Sequence, residues 1–196
     1  MNLPDGKFGA ILADPPWSFL TYGKKRTTSH RGAEEHYMTM THEDLLGLPV
    51  QSVAAKDCAL FMWVVDSHLD EAIELGRAWG FSYKTIAFIW AKTTRKEPQF
   101  GFFAPETTHR IGMGYWTRKQ AEVCLMFTRG KPRRIGKGVR QIIEAPRREH
   151  SRKPDEIHSR VEALVAGPYL ELFARQPREG WTVWGNETSK FSEAAE

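Results

Sequence analysis

The chain has 196 residues, 41% of them hydrophobic and 27% charged, which suits a folded chain with a substantial core and excludes disordered and fibrous classes. Its longest apolar stretch, Ala59–Val65, falls far short of the roughly 20 residues a bilayer-spanning helix needs, and its start carries no basic-apolar-small export pattern. The net charge of +4 is uneven: residues 129–153 hold ten Lys or Arg against two acids, while the rest holds eighteen against twenty-two, as expected of one polyanion-facing surface on a mildly acidic body.

Phe8–Ala13 is an apolar run that reads as a buried strand, with Asp14 at its tip. Pro15 and Pro16 have no amide proton to give a sheet, so the strand stops there. A residue before proline is driven to extended geometry, which holds Asp14 straight out. Ligands of open α/β sheets sit beyond the carboxyl ends of strands. Asp14, the prolyl carbonyls and the Trp17 indole therefore make one candidate edge for a flat base with an exocyclic amine: oxygens accept its N–H groups and the indole stacks. The alternative is a rigid turn with Trp17 as a core plug.

Residues 18–36 are polar and read as a mobile, lid-like loop whose cations Lys24, Lys25 and Arg26 are candidates for phosphate contact. Tyr37 follows. Thr41 is placed to cap a short helix over 42–46, with Asp44 completing a capping box. Ala59–Val65 lacks alternation and predicts a strand buried on both faces, as in a parallel sheet. Ser67 is then expected to cap a helix that Gly80 ends, with Leu69, Ala72, Ile73 and Gly76 on one face. Thr85–Ala91 is a further strand, completing a βαβ unit. Residues 93–116 are irregular, and the aromatics of 112–116 either approach a ligand or pack on the sheet. Glu122–Phe127 is another strand. Cys58 and Cys124 each lie in apolar segments and read as buried, reduced thiols of an intracellular protein.

Pro154 suits the first position of a helix, with Asp155 and Glu156 in its first turn and Ile157, Val161, Leu164 and Val165 on its apolar face, up to Gly167. Lys153 then stands at a helix start, where free amides and a cation together favour a carboxylate or phosphate; the alternative is a surface lysine. Tyr169–Ala174 and Trp181–Trp184 are strands, leading to Arg175 and to Asn186-Glu187, groups suited to ribose hydroxyls. One domain over 1–196 is expected.

Taken together, Asp14-Pro15-Pro16-Trp17, His36-Tyr37-Met38-Thr39-Met40, Glu122, Ser151-Arg152-Lys153-Pro154-Asp155-Glu156, Glu171-Leu172-Phe173-Ala174-Arg175 and Gly185-Asn186-Glu187 resemble, in this order, the DPPW-type N6-adenine methyltransferases. This is the family of the catalytic subunit of the messenger-RNA adenosine methyltransferase, with compact prokaryotic and phage members. The resemblance implies an α/β, Rossmann-like class I methyltransferase with a mostly parallel sheet and a circularly permuted motif order, the catalytic strand first and the cofactor strands last. It implies S-adenosylmethionine as cofactor, S-adenosylhomocysteine as its product, and no metal. Asp14, Pro15, Pro16 and Trp17 are then catalytic. Tyr37, Lys24, Lys25, Arg26 and Glu122 bind substrate. Asp14, Lys153, Arg175, Asn186 and Glu187 bind cofactor. The chain departs from relatives that carry Asn-Gln where it has Asn186-Glu187; a carboxylate still accepts from ribose hydroxyls. Leu172–Arg175 replaces the glycine-rich cofactor loop of other methyltransferases. The implied substrate is adenine in single-stranded or flipped nucleic acid, with DNA favoured, RNA as the alternative, and a catalytically silent nucleic-acid-binding subunit as a third reading. A cytoplasmic location, no membrane partner and a homo- or hetero-oligomer complete the expectation. Asp14 and the Lys153–Asn186 groups should converge at opposite ends of one cleft.

Overall fold

The apolar run at the start forms β1 (Phe8–Ala13), and Asp14 stands at its tip as predicted. The computed structural model describes residues 2–17, 40–94, 109, 111–112, 116–149 and 151–191. The loop over 18–36 and the 36–39 part of the motif that includes Tyr37 lie outside the described residues, as do Lys24, Lys25 and Arg26. Thr41 caps α1 (His42–Leu46): its hydroxyl accepts the Asp44 amide, and Asp44 accepts the Thr41 amide. The next elements are β2 (Ala54–Val64), α2 (Leu69–Ala78), β3 (Ser82–Thr93) and β4 (Ala121–Arg129). They are followed by β5 (Ile142–Pro146), α3 (Glu156–Leu164), β6 (Tyr169–Leu172) and β7 (Trp181–Trp184).

Seven strands make one sheet in the order β5-β3-β4-β2-β1-β6-β7. β4 runs antiparallel to both its neighbours, β2 and β3, and the remaining pairs are parallel. The β2-α2-β3 unit is present, but β4 is inserted between its two strands. The first strand is central and pairs directly with β6, the product of a segment more than 150 residues later. This is the permuted arrangement that the motif order implies.

The lack of alternation in β2 has a direct cause. Cys58, Leu60, Met62 and Val64 face one apolar cluster with Ile11, Ala13 and α2 residues Ala72 and Leu75. Ala59, Phe61 and Trp63 face a second with Leu12, Phe88, Trp90 and α3 residues Ile157 and Val161. Both faces are covered, so every position is apolar. Cys58 and Cys124 are buried free thiols, as expected; burial pushes Cys58 up to about 12 and Cys124 well above the usual thiol value.

Several boundaries differ from expectation; β2, β3 and β4 are longer than their apolar runs and β6 ends at Leu172. Ser67 does not cap α2: a short 3₁₀ turn over Asp66–His68 comes first, and the Ser67 hydroxyl instead pairs with the His68 ring at 2.9 Å. α3 begins at Glu156 rather than Pro154, and it ends at Leu164 because Val165 is already extended, before Gly167. β5 lies inside the basic segment; Ile142, Ile143 and Ala145 supply its apolar residues between flanking cations, a run too short to stand out in the sequence.

Gly76 marks the tightest helix-sheet approach: a Cβ there would lie 2.3 Å from the ring of buried Phe127. In a free helix Gly→Ala stabilises by about 1 kcal/mol. Here Gly76→Ala should reverse that sign and destabilise by about 1–3 kcal/mol, as overpacking does, read as a lower midpoint in urea unfolding; a raised midpoint would show that the contact yields.

Candidate active site

Connections from β1 lead to β2 on one side, whereas β6 and β7 extend the sheet on the other. At such a divergence the loops beyond the carboxyl ends part and leave a crevice. A narrow cleft, open at its mouth, lies there, with Asp14, Trp63, Lys153, Glu171, Phe173 and Arg175 among its walls. Strand alternation explains the gathering. Leu12 faces α3, so Asp14, two residues on, faces the same way. Trp63 and Glu122 belong to the same face through the β2–β4 pairing, and Lys92 follows Trp90 by two. Lys153 stands just before α3, the helix that covers this face.

The Lys153 ammonium donates to both Asp14 oxygens, at 2.8 and 2.9 Å, and lies 3.5 Å from Glu122 Oε2. Lys92 grips the other oxygen of Glu122. Arg175 lies 3.7 Å from Asp14 and 3.9 Å from Glu187, and donates to the Ser151 carbonyl at 2.7 Å. The result is a line of alternating charge: Lys92, Glu122, Lys153, Asp14, Arg175, Glu187. Asp14 and Lys153 are only 19% and 17% exposed, so neither charge would be cheap to hold alone. Burial raises the Glu122 carboxyl, but the Lys153 and Lys92 ammoniums, with Lys119 farther off, overcome it and hold Glu122 at about 2. Burial pulls Lys153 down, and Asp14 with Glu122 more than restores it, leaving it raised and charged through neutral pH.

The early acid and the late cation thus meet, but in direct contact rather than at opposite ends of a cleft. Trp17 takes the core-plug position. It is 5% exposed on the opposite face of the sheet, with its indole N–H donating to the Trp63 carbonyl at 3.2 Å. The Pro15 carbonyl accepts the Trp17 amide at 2.8 Å, and the Pro16 ring closes the turn between them. Glu187 joins the charge line and also pairs with Lys190 at 2.7 Å, whereas Asn186 is exposed beside it. Trp116, in the irregular stretch, is 90% exposed; residues 113–115 lie outside the described ones.

Several cleft residues carry no signal strong enough to be found from sequence. Lys92 was hidden in a strand whose length the β-rich run understated. Glu171 lies within a quoted motif, yet its partner His158 is visible only in three dimensions. The His158 ring faces the Asp155 carbonyl at 3.2 Å and Glu171 Oε2 at 2.8 Å, and its edge meets Trp181 at 5.0 Å. The His158 ring, bridged between the Asp155 carbonyl and the Glu171 carboxylate, holds that carboxylate against the cleft wall. Arg152 covers the Phe191 ring at 5.2 Å. Ser151 and Phe173 both line the cleft with left-handed backbones, φ 64° and 62°, a strain that clusters at binding sites. Gly185 lets the two late strand ends close up: a Cβ there would lie 2.9 Å from the Ala174 carbonyl.

Because Glu122 has a folded pKa of about 2 against an ordinary 4.5, its contribution to stability is complete above the ordinary value and is lost as pH falls toward 2. Glu122→Gln should therefore flatten the acid limb of stability between pH 5 and pH 2, as measured by urea unfolding at ~0.5 pH intervals. An unchanged acid limb would mean that Glu122 is not held by its lysines.

Comparison with known proteins agrees with this geometry. The MT-A70 family model matches residues 8–187. A Mycoplasma protein, type II methyltransferase M.MunI, is 34% identical over 95% of this chain and 80% of its own length. The human N(6)-adenosine-methyltransferase catalytic subunit METTL3 is 31% identical over 93% of this chain but only 28% of its own length. An Arabidopsis thaliana MT-A70-like N(6)-adenosine-methyltransferase is 32% identical over 93% of the chain and 24% of its own length. The chain thus spans most of M.MunI and about a quarter of the plant and human relatives. With a motif order, a permuted sheet and a charged crevice that all agree, the chain belongs to the MT-A70 family and is a methyltransferase.

Proposed function

We propose that the chain methylates N6 of adenine in nucleic acid, DNA in particular, with S-adenosylmethionine as cofactor. The observation that carries this reading is the Asp14–Lys153–Arg175 cluster at the tip of β1, a carboxylate and two cations poised at the edge of a cleft. The donor set fits the cofactor. Lys153 and Arg175 suit its carboxylate, Asp14 its ammonium, and Glu171, Asn186 and Glu187 its ribose hydroxyls and adenosine; the Trp63 and Phe173 rings offer apolar walls. When bound, it supplies a methyl group carried on a sulfonium, a good leaving group.

What remains for the protein is alignment and an amine with its lone pair available. The Asp14 carboxylate and the Pro15 carbonyl accept the N–H groups of the exocyclic amine and turn its lone pair out of the ring. Each already has a partner in the free protein, Lys153 and the Trp17 amide. Lys153 is therefore shared: it would hold the cofactor carboxylate, and in turning from Asp14 it would leave the Asp14 carboxylate free for the amine. The surplus proton on nitrogen leaves to Asp14 or to solvent. A base stacked in a duplex cannot enter such a cleft, so the substrate is single-stranded or flipped. Tyr37 near the base and Lys24, Lys25 and Arg26 on the backbone remain part of this proposal, as does assembly with a second subunit.

The preference for DNA rests on the likeness of compact prokaryotic members to DNA modifiers, and on coverage that runs through most of M.MunI but only a quarter of METTL3. Labelled cofactor offered to matched DNA and RNA oligonucleotides should yield N6-methyladenine in the DNA, identified by mass; label in RNA alone would reverse the choice. Asp14→Asn should lower turnover by about 10²-fold or more, the lower range for a group that handles the transferred proton; the unfolding midpoint falls as well, because Lys153 loses its carboxylate partner, so turnover is compared at a temperature where circular dichroism shows both forms folded. Turnover near that of the parent would remove Asp14 from the mechanism.

A further inference from the structure

The fold splits the basic segment of 129–153 between the two ends of the sheet. Its later part, after β5, reaches the cleft edge, and there three of four cations are engaged: Arg148 with Asp155 at 2.6 Å, Arg152 with Glu149 at 3.3 Å, and Lys153 with Asp14, while Arg147 is exposed without an ion pair among the described residues. Its earlier part, residues 131–141, leaves β4 at the far end, runs along the last turns of α3 and enters β5 from below. Lys131, Arg133, Arg134, Lys137 and Arg140 are all exposed there. Among the described residues none of these five makes an ion pair, and the nearby Asp57 carboxylate accepts the Lys131 backbone amide. Unpaired positive charge is concentrated away from the cleft, the reverse of what the sequence order alone suggests.

This loop is held firmly. The Ile135 amide donates to the Leu164 carbonyl at 2.9 Å, Arg134 bridges Val165, and the Arg160 guanidinium donates to the Arg140 carbonyl. At Gly136 a Cβ would lie 2.1 Å from the Ala163 carbonyl, so only glycine allows the loop to lie this close to α3. An open trough runs between the two, lined by Gly136, Gly138, Val139, Arg140, Ser159 and Arg160. A fixed loop loses little entropy when it binds. Five exposed cations within ten residues suit a chain of phosphates rather than a single anion.

We infer that this far-edge loop is a second, sequence-independent binding site for the nucleic-acid backbone, separate from the cleft that takes the target base. The inference rests on the proposal that the substrate is nucleic acid. The two sites lie one β5 length apart or more: four strand steps, about 13 Å. That is about four nucleotides at the ~3.4 Å rise of a stacked strand and fewer for an extended one, so one strand engages both when it extends past α3. A trinucleotide centred on the target adenine engages the cleft alone.

The test compares the parent with the quadruple variant Lys131→Gln, Arg133→Gln, Arg134→Gln, Lys137→Gln, and with Arg133→Lys, Arg134→Lys as a charge-keeping control. Binding of a fluorescent 20-nucleotide single strand is followed from low to high salt, alongside methyl transfer to the trinucleotide. The quadruple variant should bind the long strand at least tenfold more weakly near 0.1 M salt. Its salt slope should be shallower by about 2–3, from ~0.7 per lost phosphate contact. Turnover and KM for the trinucleotide should be unchanged, and the control should bind like the parent. Equal affinity and slope for the long strand would overturn the inference, as would an equal loss on the trinucleotide. If no oligonucleotide is methylated by any form, the proposed activity fails, while the binding comparison still decides the far-edge site.

Discussion

Lys153 and Asp14 are 139 residues apart in sequence and in hydrogen-bond contact in the fold. Each is largely out of water, and each would be costly without the other; removing one partner of such a pair typically costs several kcal/mol, ~3–5 when fully buried. The pair therefore does two things at once. It fastens the segment before α3 to the tip of β1, and it holds a carboxylate and an ammonium at a crevice where a zwitterionic ligand would compete for both. Glu122 and Lys92 on one side, Arg175 and Glu187 on the other, extend the same alternation and keep any single charge from standing alone.

The rest of the fold is arranged to bring about that meeting. A central β1 paired with β6 places the earliest motif beside the latest. Strand alternation sends Asp14 to the α3 face and the turn at Pro15-Pro16 carries Trp17 to the other, so the DPPW motif is divided between a polar edge and the core that supports it. The two left-handed residues, Ser151 and Phe173, and the close approach at Gly185 lie around the same crevice. Backbone strain there is offset by a sheet covered on both faces.

Much of this was legible in the sequence, for specific reasons. β1 and β2 were readable because both-face burial leaves an unbroken apolar run, and α1 because its capping box is a local interaction. Asp14 and Lys153 were readable because a proline and a helix start mark the element ends beside them, and Arg175 because it follows an apolar strand. What escaped was non-local. That β4 runs antiparallel between β2 and β3 depends on pairing, which periodicity does not encode. His158 against Glu171, and Lys92 against Glu122, join residues on different elements. The basic segment looked like one surface because sequence order does not reveal that β5 crosses the sheet within it. The role of Trp17 depended on which face of a turn it occupies, and the turn residues allow either.

The proposed sharing of Lys153 between Asp14 and a cofactor carboxylate is tested most directly by a double-mutant cycle. Asp14→Asn, Lys153→Met and the double variant are compared with the parent for S-adenosylmethionine affinity by calorimetry. Residues that act as one unit should show a coupling energy above about 1 kcal/mol, whereas independent sites add to within ~0.5 kcal/mol. A clear coupling is what the contact predicts. Additive effects would mean that the two groups, though touching, do not act together on the cofactor.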